Sequence, residues 1–161
     1  MTLLHRLFPK QFDDRFGGLR AALWLLGLIL FLKFAMSLNS IFNTEQVAAG
    51  ADKFPLASYG ADGARAVLML FALHSLAELM LALVGLAALV RYRAMVPLVF
   101  LLLAIEHVGR RLIVQAYAIE RSAPTGTPTS AAFIVNMGLL ALLLAGLALS
   151  LIPSPERKIS K

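Results

Sequence analysis

Four long apolar runs constrain the fold of this chain more than any other feature. They lie near residues 20–42, 64–90, 95–119 and 130–152. A transmembrane helix needs about 20 mainly apolar residues to cross the ~30 Å hydrocarbon core of a bilayer, and each run is long enough. Lipid offers no hydrogen bonds to the backbone, which favours helices that satisfy their own polar groups. We therefore predict an all-α integral membrane protein, a four-transmembrane-helix bundle.

The composition agrees with a membrane environment and limits the chemistry. Hydrophobic residues make up 60% of the 161-residue chain and charged residues only 15%, so a soluble fold of this size could not cover the apolar surface. The length leaves room for a single membrane domain, residues 1–161. The chain has no cysteine, which excludes disulfides, cysteine-ligated zinc, iron–sulfur clusters and thiol nucleophiles.

The basic residues between the runs predict the orientation. Nine lie in the N-terminal segment, the second link and the tail: Arg6, Lys10, Arg15, Arg20, Arg91, Arg93, Arg157, Lys158 and Lys161. Three lie in the first and third links: Lys53, Arg65 and Arg121. Because cytoplasmic loops carry the excess of basic residues, we predict that both termini are cytoplasmic, at a bacterial inner membrane.

The formal net charge of +6 is explained by this basic rim against anionic membrane lipid, so no nucleic-acid partner is expected. Residues 1–19 precede the first apolar run and carry Phe8, Phe12 and Phe16 between charged residues. This spacing of i, i+4 and i+8 places the aromatic rings on one side of a helix. We predict a short interfacial segment on the membrane surface.

Polar residues within the apolar runs are the candidate functional residues. They are Lys33, His74, Glu78, Glu106, His107, Arg110, Arg111 and Asn136. Such residues are costly in lipid and usually face protein or a water-filled cavity. At 1.5 Å per residue they lie about 9–20 Å below the outer ends of their helices, so all four helices contribute at similar depth. We predict one buried ligand-binding site in the middle-to-outer bilayer.

Helical spacing suggests how these residues pair. Glu106 and Arg110 are four residues apart with the acid first, the better orientation for an ion pair, and His74 and Glu78 share the same spacing. The fourth run carries small residues that favour close helix packing: Gly138, Ala141, Ala145 and Ala148. With neutral histidines, the buried charged residues sum to +1, which favours an anionic or electron-rich ligand or the loss of a proton.

The chemistry of this site favours binding over catalysis. We predict an accessory or interaction subunit of a membrane complex that binds a lipid, a quinone or a similar amphiphile, with a protein partner or a second copy in the membrane. A proton-coupled small-molecule transporter acting as an oligomer is the alternative, because buried carboxylates and histidines are the components of proton relays. The sequence has no nucleophile elbow and no histidine-rich zinc motif, so we expect no enzyme.

A redox subunit is a further alternative, although no cofactor is required. His74 and His107 lie on neighbouring helices at similar depth and could ligate haem b on both faces. A metal site is not predicted, because the carboxylates and histidines lack the Glu-x-x-His spacing of di-iron bundles.

Two local features carry a resemblance to a known family. Arg91-Tyr92-Arg93-Ala94 forms a short hairpin between the second and third runs, and Gly109-Arg110 lies within the third. Together with the size and the helix count, they make the chain similar to the small four-helix bacterial membrane proteins of the DoxX-like type. The resemblance implies a four-helix membrane bundle linked to quinone or redox membrane complexes. It assigns no functional residue.

Overall fold

The computed structural model describes residues 7–9, 11, 13–117 and 131–154, with only the backbone at 131 and 132. Four long helices account for most of this part: α1 (Arg20–Phe42), α2 (Ala61–Arg91), α3 (Val96–Ala116) and α4 (Ala131–Leu151). The described residues contain no β-strand. The all-α prediction is therefore confirmed.

The helix boundaries lie close to the predicted ones. α1 has the predicted limits. α2 begins at Ala61, three residues before the predicted start at 64, because residues 61–63 after the N-cap Gly60 are also helical. α3 begins at Val96, with Pro97 in its first turn, where the missing N–H costs no helical hydrogen bond. It ends at Ala116, and residues 118 and 119 of the predicted span lie outside the described part of the chain.

Three helices are long and apolar enough to cross a membrane. They are α1, α2 and residues Phe133–Leu151 of α4. The third apolar run differs because Glu106, Arg110 and Arg111 all lie within the 21 residues of α3. Length and composition therefore support three spans directly.

The link between α1 and α2 contains short helical turns. An α-helical turn (Thr44–Gln46) continues into a π-helical turn (Val47–Ala51), and a 3-10 turn (Leu56–Ser58) follows. An open groove of about 600 Å³ borders the first two turns, and its described lining contains none of the predicted site residues.

The helices pack as two pairs. α1 lies along α2, α3 lies along α4, and α1 also contacts α4, whereas α2 and α3 make few close backbone contacts beyond their hairpin. Leu26, Ile29, Phe100, Leu103 and Leu143 are fully buried in the shared core. Lys33 lies seven residues after Leu26 and is therefore on the same side of the helix. The core-facing side of α1 thus also carries a charge.

A glycine permits the close approach of α3 and α4 at Phe100. A Cβ atom at Gly146 would overlap the ring of Phe100. By contrast, the predicted small-residue track (Gly138, Ala141, Ala145 and Ala148) is exposed on the outer side of α4. The expectation that this track packs within the bundle is wrong, because the helix turns its leucine-rich side and Gly146 towards α3.

The N-terminal segment lies across one end of the bundle. Ala94 N donates to Asp13 O (3.2 Å), and Arg93 Nε lies 3.3 Å from Asp14 Oδ1. At the same end, two main-chain hydrogen bonds join residues 17–19 to the last turn of α4 and to the residues that follow it: Leu19 N donates to Leu149 O (3.1 Å), and Ser154 N donates to Gly17 O (3.2 Å). Three phenylalanines were predicted on one side of this segment. Phe8 is exposed and Phe16 packs against the core, whereas Phe12 lies outside the described residues.

Candidate functional site

Five of the predicted site residues meet at mid-height in the bundle. They come from three helices: Lys33 from α1, His74 and Glu78 from α2, and Glu106 and Arg110 from α3. We call these five residues the ion-pair cluster. The sequence indicated similar depths for these residues, and the structure shows that they contact one another across three helices.

Lys33 is the centre of the ion-pair cluster. Its Nζ donates to Glu106 Oε2 at 2.8 Å and lies 3.7 Å from Glu78 Oε1. The lysine side chain is only 5% exposed. One cation thus joins carboxylates from two different helices, a contact that links α1, α2 and α3.

The predicted pair within α3 exists but is secondary. Arg110 Nε lies 3.7 Å from Glu106 Oε1, longer than a hydrogen bond, whereas the Lys33 contact to the same carboxylate is 2.8 Å. Spacing along one helix can reveal an i, i+4 pair. It cannot reveal a partner on another helix, so the sequence indicated the depth of Lys33 and missed its pairing with Glu106.

The exposed part of the cluster consists of His74 and Arg110. His74 Nε2 lies 3.4 Å from Glu78 Oε1, and the histidine side chain is 46% exposed. Arg110 Nη1 lies 3.9 Å from the same carboxylate oxygen, and the arginine side chain is 39% exposed. No described residue accepts a hydrogen bond from Arg110 within normal distance, although its guanidinium has five N–H donors.

His107 makes a separate contact with α4. Its side chain is 1% exposed, and its Nε2 lies 3.0 Å from the main-chain oxygen of Asn136. A carbonyl can only accept, so Nε2 carries the proton and donates, which leaves Nδ1 as an acceptor in the neutral ring. Nδ1 is buried without a partner among the described residues. Asn136 thus contributes its backbone to this contact.

Arg111 lies apart from the ion-pair cluster. Its Cζ is 4.9 Å from the centroid of the Phe133 ring, a cation–π contact with α4, and it forms no ion pair with the residues that the structure describes. The predicted sum of +1 included this arginine. Without it, Lys33 and Arg110 balance Glu78 and Glu106, so the cluster is neutral when His74 is neutral.

The histidine geometry does not fit a haem held between His74 and His107. His107 is enclosed between α3 and α4 with its Nε2 bonded to the backbone, and His74 contacts a glutamate of its own helix. Within the described ranges, no group of three or more His, Cys, Asp or Glu side chains could hold a metal ion.

A buried serine close to Lys33 on α1 was not among the predicted site residues. Ser37 lies one turn beyond Lys33 on the same side of α1, is 2% exposed, and has no hydrogen-bond partner for Oγ among the described residues. The i, i+4 spacing from Lys33 was the available signal. The hydroxyl extends the polar side of α1 towards the C-terminal end of this helix.

The Glu106–Arg110 contact can be tested by a double-mutant cycle. Glu106→Gln, Arg110→Gln and the double variant are expected to be non-additive in free energy of unfolding by about 1 kcal/mol, since the residues are in contact. The measurement is denaturant-induced or thermal unfolding in detergent. A matched cycle of Glu106→Gln with Arg111→Gln should be additive, because Arg111 faces Phe133. Additivity in the first cycle would show that Glu106 and Arg110 do not meet.

Comparison with known proteins adds no relative. No protein-family model, no curated protein and no solved structure matches this chain. The resemblance to DoxX-like proteins therefore rests only on the size, the helix count, the hairpin and the Gly109-Arg110 pair.

Proposed function

We propose that this protein is a four-span membrane protein in which the ion-pair cluster binds the polar head of an amphiphile, such as a lipid or a quinone. The observation that carries this proposal is the partial exposure of His74 and Arg110 halfway along apolar helices. Lipid tails supply no hydrogen-bond acceptors, and a charged group left facing them is costly. A bound polar head would accept hydrogen bonds from these donors.

The same cluster supports α3 as the fourth span. Its 21 residues extend about 31 Å, close to the thickness of the hydrocarbon core. Glu106 and Arg110 are directed to the cluster, while Ile105, Leu112 and Ile113 are exposed on the outer side. The charges of α3 thus have protein partners, and its apolar residues can face lipid.

The proposed orientation has both termini in the cytoplasm of a bacterial cell. It is supported by the nine basic residues in the N-terminal segment, the second link and the tail. The contacts of residues 13–19 with the α2–α3 hairpin and with the end of α4 are compatible with this arrangement.

The topology predicts the labelling of two engineered cysteines. Ser58→Cys in the first link should react with a membrane-impermeant maleimide from outside the cell, and Ser154→Cys should react only in inverted vesicles. The chain has no native cysteine, so the unmodified protein serves as a zero-background control. Labelling of both positions from the same side would contradict the four-span arrangement.

We propose an accessory role because the segments that join the four helices are too short to form a soluble domain. In this role a protein partner would supply any soluble activity. Native mass spectrometry of gently extracted protein should detect a bound amphiphile together with any partner. Arg110→Gln should lose the amphiphile, and Arg111→Gln should retain it. Retention in the Arg110 variant would contradict the proposed binding site.

Proton-coupled transport is a second candidate, because the cluster contains a continuous chain of titratable groups. His74 contacts Glu78 at 3.4 Å, Glu78 contacts Lys33 at 3.7 Å, and Lys33 contacts Glu106 at 2.8 Å. Such chains can relay protons within membranes. If this function is correct, proteoliposomes under a pH gradient would take up a small-molecule substrate in a Glu78-dependent manner; uptake no greater than in protein-free liposomes would contradict it.

A further inference from the structure

The charge of the ion-pair cluster determines which class of head group the site can accept. The cluster contains two cations, Lys33 and Arg110, and two anions, Glu78 and Glu106, in mutual contact. Arg111 contributes nothing to these contacts because its guanidinium lies over Phe133. The charges of the cluster therefore cancel before any ligand binds when His74 is neutral. This inference rests on the proposed amphiphile site and concerns its selectivity.

The donors of the cluster specify a ligand that accepts hydrogen bonds. Arg110 lies 3.7 Å from Glu106 and 3.9 Å from Glu78, so neither carboxylate takes a normal hydrogen bond from it. Its planar guanidinium presents parallel N–H groups that suit oxygen acceptors. The imidazole of His74 approaches the same oxygen of Glu78 and is also partly exposed, so it offers a further polar group to a ligand. A carbonyl oxygen at this position would satisfy donors that the described residues leave unused.

The balance of charges then separates uncharged from anionic ligands. An anionic head group would add a net negative charge beside Glu78 and Glu106, whose side chains are mostly buried. Unbalanced charge is costly in a low-dielectric environment. We propose that the site selects an uncharged, carbonyl-bearing amphiphile, such as an ester, ketone or quinone, over an anionic amphiphile with the same tail.

Removal of one carboxylate should reverse this selectivity. Glu78→Gln has almost the same shape but leaves the cluster with one excess positive charge, which an anionic head group would neutralise. Glu106→Gln makes the same change in charge from α3 and is a second, independent variant. Arg111→Gln removes a charge of the same helix outside the cluster and is the matched control.

The test compares two radiolabelled probes of equal chain length, a long-chain methyl ester and an alkylsulfonate. Binding is measured at pH 8 on purified full-length protein in nanodiscs of uncharged lipid, after each variant has been checked for a single size-exclusion peak. The wild type and Arg111→Gln are expected to bind the ester at least about tenfold more tightly, equivalent to 1.4 kcal/mol. Glu78→Gln and Glu106→Gln are expected to prefer the sulfonate.

The possible failures are distinguishable. If neither probe binds the wild type, the proposed amphiphile site is wrong. If the wild type binds the sulfonate as tightly as the ester, the site exists but is not selective by charge. The same conclusion follows if a folded glutamine variant of Glu78 or Glu106 keeps the wild-type preference. Loss of preference in Arg111→Gln would show that Arg111 belongs to the site, and would overturn the charge balance.

Discussion

Replacement of Lys33 by methionine is expected to destabilise the protein by about 3–5 kcal/mol, the usual effect of removing one member of a buried ion pair. Lys33 is the cation between Glu78 and Glu106, and its side chain is almost fully buried. Methionine fills a similar volume but leaves Glu78 and Glu106 without the cation between them, so that Arg110 at 3.7–3.9 Å and a protonated His74 are the remaining described groups that can neutralise them. The measurement is the free energy of unfolding in a detergent titration.

A second substitution separates the charge effect from a packing effect. In the double variant Lys33→Met/Glu106→Gln, the single excess negative charge left by Lys33→Met is removed, so a large part of the lost stability should return. Arg91→Met, at the exposed end of α2, should change stability by no more than about 0.5 kcal/mol. If Lys33→Met behaves like Arg91→Met, the lysine is not the central cation.

Replacement of Gly146 by alanine is expected to destabilise the protein by about 1–3 kcal/mol, the typical cost of overpacking a core. A Cβ atom at this position would overlap the ring of Phe100, which is fully buried and cannot move without displacing its neighbours. The clash would push α4 away from α3 and strain the contact between His107 and the Asn136 backbone. Thermal unfolding in detergent provides the measurement.

Gly138→Ala is the matched control for Gly146→Ala. Both glycines lie in α4, but a Cβ atom at Gly138 would meet no atom within 4 Å beyond its own helix. Alanine should therefore be neutral there or stabilising by up to about 1 kcal/mol, through the lower conformational freedom of the unfolded chain. An equal loss of stability in both variants would mean that the tight α3–α4 contact at Phe100 is not formed.

Much of the fold could be predicted from the sequence because it depends on local properties. The apolar runs are longer than a globular core requires, and α1 has the predicted limits. The sequence also predicted a similar depth for four charged residues, Lys33, Glu78, Glu106 and Arg110. This was possible because the helical rise per residue is constant and the predicted helices are antiparallel neighbours. For the same reason, five of the eight predicted site residues lie in one cluster.

The partners within the site were decided by tertiary structure alone. The rotation of each helix about its axis selects which side chains meet: it directs Lys33 to Glu106, Arg111 to Phe133, and the track of Gly138 and the alanines to the outside. In chains this apolar, hydropathy hardly distinguishes one side of a helix from another, so the sequence specifies depth well and rotation poorly. Rotation is fixed instead by close contacts such as Gly146 against Phe100 and by the pairing of charges that lipid cannot solvate.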